Sequence, residues 1–170
     1  VNATDKLIEA FVLKLRHLGV PILEEDNKTR LEALEGKLPK RLLQSFASFL
    51  LRYSFPSFDV AGISLFGWAS ASNAYTNEAS AAEGSLSELL IPAGYVQIGQ
   101  PDTGSFDAIC FDLNHKCQNR EYRIVNVDHE QILCNWRVRV SSEMWSSFVE
   151  LVEGVLSSSK PQVFYEDPNA

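Results

Sequence analysis

No lysine or arginine occurs between Tyr53 and His115, although the 170-residue chain holds 15 such residues elsewhere. The same window contains Asp59, Glu78, Glu83, Glu88, Asp102, Asp107 and Asp112. It therefore carries the whole net charge of −7, and the two flanks together balance to zero. A field of this sign repels nucleic acid and anionic lipid and attracts basic partners. An acidic surface that does nothing but face water accounts for the same charge equally well.

Other absences narrow the reading further. No apolar run approaches the ~20 residues that span a bilayer, so no membrane partner is expected. Val1-Asn2-Ala3-Thr4 does not lead from a basic segment into an apolar core, and no signal peptide is expected there. Cys110, Cys117 and Cys134 form an odd, unpatterned set that argues against a disulfide framework. Reduced thiols in a cytoplasmic protein are the simplest expectation.

The sequence lacks every phosphate-cradling glycine motif, so no cofactor is expected. It also lacks the CxxC, HxxxH and HExxH spacings of zinc sites. His115, Cys117, Asp128 and His129 are the nearest to a donor set, but Lys116 separates the first two, and the group reads better as turn residues; no metal site is expected. A cysteine nucleophile needs a neighbouring base, for which His115 and His129 are the candidates. Cys134 has the parity of a core residue and Cys117 lies in a polar turn that fixes no geometry, so neither is expected to react. Asp102, Asp107 and Asp112 would suit glycoside hydrolysis only if held across a cleft, which their spacing does not indicate. No catalysis is expected, and no catalytic residue is assigned.

What is present is a fold pattern. Ile132, Cys134, Trp136, Val138 and Val140 alternate with Gln131, Asn135, Arg137 and Arg139, with Leu133 as the only break. Side chains alternate across a strand, so this run predicts a half-buried strand. Residues 95–98, 106–113 and 122–127 add three more, with a tight turn at 101–104. A further strand is expected over 60–68. Short polar connections suggest an antiparallel meander.

Helices flank this sheet. Thr4 is the expected N-cap of a first helix over 4–18, with Leu7, Ile8, Phe11, Val12, Leu15 and Leu18 as its apolar stripe. A short second helix carries Thr29 and Glu32 as a capping box. Pro39 is expected to open a third, and Ser142 to cap a last one that packs on the sheet through Trp145, Phe148 and Val152. Residues 69–85 are rich in Ala and Ser and read as an exposed loop, and the polar tail 160–170 as loosely held. Helices, then sheet, then helix give a single α+β domain over 1–170, with its core at about 28–156 and a mainly antiparallel, curved sheet.

Leu38-Pro39, the Phe46-Phe49-Tyr53 helix and the run Ile91-Pro92-Ala93-Gly94-Tyr95-Val96-Gln97-Ile98-Gly99 resemble the SUKH superfamily, the Smi/Knr-type domain. Phe111-Asp112, the segment 124–128 and Trp145-Phe148-Leu151 continue the likeness. The resemblance implies an α+β domain without a catalytic set. It also implies a protein-binding role, as a bacterial immunity protein that neutralises a toxin such as a nuclease. The alternative it implies is a regulatory or scaffold module, as in cell-wall control. A basic toxin domain would meet the acidic window, so Asp102, Asp107 and Asp112 are the expected partner-binding residues, extended by Asp128 and Glu130. Tyr75 and Trp68 are the candidate aromatic anchors, Trp68 reading equally well as core. The oligomeric state stays open.

Overall fold

The computed structural model describes residues 2–69, 86–116 and 119–167. Tyr75, Cys117, Glu78 and Glu83 lie outside them. Among the described residues the chain forms six helices and a curved, wholly antiparallel sheet of seven strands, an α+β fold.

The first helix, α1, runs Ala3–His17 and buries Ile8, Phe11, Val12 and Leu15. It begins a little before the expected cap because Asn2, rather than Thr4, accepts from the Asp5 N–H at 2.8 Å. Two residues of strand, β1 (Leu23–Glu24), then pair with β2 (Tyr53–Ser54) as a small separate sheet. Helix α2 (Lys28–Glu35) buries Leu31 and Leu34. Asn27 precedes it with its side chain turned inward, where the amide donates to the Leu50 and Tyr53 carbonyls and to Ser54 Oγ.

Pro39 does not open the third helix. Lys40 Nζ reaches the Leu113 carbonyl, and the Arg41 carbonyl accepts from Tyr122 Oη, so this segment is tied to the sheet in a non-helical path. Helix α3 starts only at Gln44 and runs Gln44–Arg52. Glu121, brought from the far side of the sequence, accepts from the Ser45 N–H at 3.1 Å and supplies the cap that no local residue offers.

The large sheet has the order β8 (Val140–Trp145), β7 (Tyr122–Val127), β6 (Ala108–Lys116), β5 (Tyr95–Pro101), β4 (Ile63–Leu65), β3 (Phe58–Val60), β9 (Val163–Phe164). The expected strand over 60–68 is a hairpin, β3 (Phe58–Val60) and β4 (Ile63–Leu65). Ala61 and Gly62 turn it with positive φ of 52° and 89°, the backbone of a tight two-residue hairpin turn. Strand β5 (Tyr95–Pro101) follows a short helix, α4 (Ser87–Leu90), and then come β6 (Ala108–Lys116) and β7 (Tyr122–Val127). Gly99 lies so close to β4 that a Cβ there would collide with the Ser64 carbonyl.

The strand expected from the alternation at 132–140 is instead a helix, α5 (His129–Asn135). Asp128 caps it, its carboxylate accepting from the Glu130 and Gln131 N–H groups. In this helix Cys134 leaves the face of Ile132, and Trp136, left-handed at the helix end, turns outward. Ile132 is buried, whereas Cys134 and Trp136 are exposed. The edge strand β8 comes later, at Val140–Trp145. That also moves the last helix. Ser142 lies in β8, and Ser147 is the cap of α6 (Phe148–Ser157), its hydroxyl accepting from the Glu150 N–H. Trp145 therefore belongs to the sheet, and α6 seats through Phe148, Leu151, Val152 and Val155. The tail is not loose at its start, for β9 (Val163–Phe164) pairs with β3.

The main core lies between one face of the sheet and helices α1, α3 and α6. Phe148 meets Phe46, Phe49 and Phe11 at ring-centroid distances of 5.0, 5.9 and 6.0 Å, joining the three helices, and Phe46 meets Phe111 of β6 at 5.0 Å. Lys14 Nζ closes the arrangement by donating to the Leu156 and Ser158 carbonyls at the end of α6. A smaller core of Leu90, Ala108, Cys110, Val125, Val127 and Ile132 covers the other sheet face beneath α4 and α5. Covered on both faces, β6 buries six residues in a row, 108–113.

Candidate protein-binding site

The acidic residues divide between the start and the middle of β6. At its start, Asp107 accepts from the backbone N–H of His129 at 3.0 Å and lies 2.6 Å from His129 Nδ1. Burial alone would raise the Asp107 carboxyl, but the His129 ring, the His129 N–H and the Asn126 amide outweigh it and hold it below the usual range. Asp128 stands beside this pair as the cap of α5. Glu130 is exposed in the first turn of that helix, and Asp102 is exposed in the turn that joins β5 to β6.

Apolar groups stand among these charges. Phe106 is 68 % exposed and meets the edge of the His129 ring at 6.0 Å. Leu133 lies one helical turn after His129, hence on the same face of α5, and is 66 % exposed. Trp136 ends the helix with left-handed dihedrals (φ 51°, ψ 39°) and is 69 % exposed. That conformation normally favours glycine or asparagine, and for a bulky residue it costs on the order of 1–3 kcal/mol. Its effect here is to hold an indole outward. Arg137 and Arg139 follow it, so the negative potential is strongest toward the start of α5.

In the middle of β6, Asp112 is fully buried. Its carboxylate accepts from Arg123 Nε and Nη2 at 2.9 and 2.8 Å, lies 2.9 Å from His115 Nδ1 and accepts from the Asn114 N–H. Burial pushes its pKa up, yet Arg123, the Asn114 N–H and His115 together leave it below the usual range. Arg123, His115, Lys116, Glu143 and Ser146 line a shallow groove of about 270 Å³ in which both signs of charge meet.

The expected binding residues therefore separate. Asp102, Asp107, Asp128 and Glu130 lie at the acidic end, with Asp107, Asp128 and His129 drawn into one cluster. Asp112 cannot reach a partner from its buried place. Trp68 is core, fully buried with its indole N–H donating to the Leu50 carbonyl at 2.7 Å. Tyr75 falls outside the described residues. Trp136 was expected on the buried face of a strand, and Phe106 and Leu133 were not among the expected binding residues. Leu133, the one break in the alternation, was the available signal, together with Asp128 three residues before Gln131 as a helix cap.

Cys110 is enclosed in the smaller core, and burial pushes its thiol far above the ordinary range, away from the reactive thiolate. Among the described residues, no helix is long and apolar enough to cross a membrane. The chain matches no known protein-family model, and no curated protein matches it.

Proposed function

We propose that the chain is a non-catalytic protein-binding module, an immunity protein of the Smi/Knr type that neutralises a basic toxin domain such as a nuclease. The observation that carries this reading is the exposed Phe106 against His129, with Leu133 and Trp136 exposed along the same short helix whose start carries Asp128 and Glu130. Interfaces concentrate their energy in such aromatic anchors, while surrounding charge selects the partner and speeds encounter. A nuclease carries basic surface to hold phosphate, and an acidic inhibitor competes for it.

The test is association with a toxin domain encoded beside this chain's gene. Asp102→Lys combined with Glu130→Lys alters two exposed side chains that make no core contact. We expect the on-rate at low salt to fall about tenfold and its salt dependence to flatten, with the dissociation rate little changed. An unchanged on-rate would remove the acidic end from the interface. A chain with no toxin gene nearby would favour the regulatory or scaffold alternative.

A further inference from the structure

We propose that the pocket between α6 and the two edges of the large sheet binds a small carboxylate with an apolar body, of the arylalkanoate kind. The sheet curves far enough for both of its edges to border this pocket, which has a volume of about 370 Å³. Trp145 of the edge strand β8 lines it, half-buried. So does Ala61, whose N–H donates to the Gln162 carbonyl just before the other edge strand, β9. Leu151 and Val155 of α6, both buried, supply an apolar floor. The volume lies in the range that takes a small organic molecule. Lys160 is the single charged residue of the lining, in a chain whose net charge is −7, and it makes no ion pair among the described residues.

A second observation concerns Gly154, which lies inside α6 and lines the same pocket. Glycine weakens a helix interior, because it loses the most backbone freedom on folding. Neither need that glycine meets elsewhere, the positive φ of Gly62 or the close approach at Gly99, applies to it. A Cβ at Gly154 would meet nothing within 4 Å. The space left bare there opens onto the pocket, so that an aromatic or alkyl body can lie against the helix between Leu151 and Val155, with Trp145 beside it. Lys14 Nζ already covers the Leu156 and Ser158 carbonyls, which offsets the negative end of the α6 dipole where a carboxylate would meet Lys160.

This inference does not rest on the proposed toxin partner, since α5, which carries that surface, packs on the opposite face of the sheet from α6. Its test uses the isolated full chain, into which 3-phenylpropionate is titrated and followed by calorimetry and by the amide signals of the protein. We expect one saturable site with a Kd on the order of 1 mM or tighter, as a ligand of this size allows. The shifted signals should centre on residues 145, 151–155 and 160–162. The amine 3-phenylpropylamine, with the same body and the opposite charge, should bind at least about tenfold more weakly, and acetate, which lacks the body, should give no saturable binding. Gly154→Leu fills the pocket and should weaken 3-phenylpropionate at least about tenfold. Lys160→Gln should weaken it about fivefold, and Leu133→Ala on α5 should leave it unchanged. The signal shifts of the unaltered chain decide the matter even if Gly154→Leu fails to fold. No saturable binding, equal binding of the amine, indifference to Lys160→Gln or to a folded Gly154→Leu, or shifts centred on residues 129–136 would each overturn the proposal.

Discussion

Asp107 and Asp112 stand five residues apart, and each holds a histidine within 3 Å, yet they have become different kinds of group. Asp112 lies inside β6, whereas Asp107 stands one residue before it, where the alternation of the strand no longer fixes its direction. Asp112 shares the parity of Ala108 and Cys110 and is sealed against the sheet with Arg123 across it. Asp107, just outside the strand, is about a quarter exposed together with its histidine, each side chain at 23 %. Burial decides the difference. A carboxylate that has lost its water must keep its counter-charge and becomes part of the scaffold. One that keeps some water stays available to a ligand.

The largest expected effect comes from breaking the buried member of this comparison. Arg123→Ala leaves Asp112 with one exposed histidine and one backbone N–H, and should cost about 3–5 kcal/mol in urea unfolding. A loss under about 1 kcal/mol would place Asp112 with the surface carboxylates after all.

The pH dependence of stability sharpens the same contrast. The folded pKa of Asp112 is depressed, so its contribution is present above the unfolded value of about 3.9 and is lost as pH falls through the folded value. Unfolding midpoints between about pH 2 and 6 should drop steeply at the acid end. In Asp112→Asn that part of the slope should be missing, on top of a lower plateau. An identical acid limb in both proteins would assign it to other carboxylates.

The smallest effect belongs to Asp107. Asp107→Asn retains an acceptor for the His129 N–H and alters a contact that is still partly open to solvent, so the change should stay within about 1 kcal/mol. If it exceeded the effect of Arg123→Ala, the ranking by burial would be wrong.

The acidic run Asp102, Asp107 and Asp112 was legible from the chain alone and read as one binding patch, but nothing in its spacing told that Asp112 is buried while Asp102 is exposed and Asp107 partly so. The helix at His129–Asn135 was harder to read. Alternation over five residues looks the same whether it marks a strand or a short helix with one buried position. Ile132, the single residue of α5 that enters the core, fits either. What tips the balance is the Asp128 cap and the room left beneath α5 by the small side chains Ala108 and Cys110. The later start of α3 has a similar cause. Its cap is Glu121, 76 positions from the N–H it binds, and no window along the chain contains both.

From the sequence alone came the α+β order of elements, the strands around residues 95–98, 106–113 and 122–127, the apolar stripe of α1 and the acidic window without a lysine or arginine. Those follow from periodicity and composition, which act over a few residues. Tertiary structure decided which acids face water, that Trp68 turns inward and Trp136 outward, and that Asp107 meets Asp128 and His129. The reason is physical: exposure and clustering depend on what packs from elsewhere in the chain. The sheet register that sets Ala108 opposite Val127 is what carries Asp107 to its neighbours.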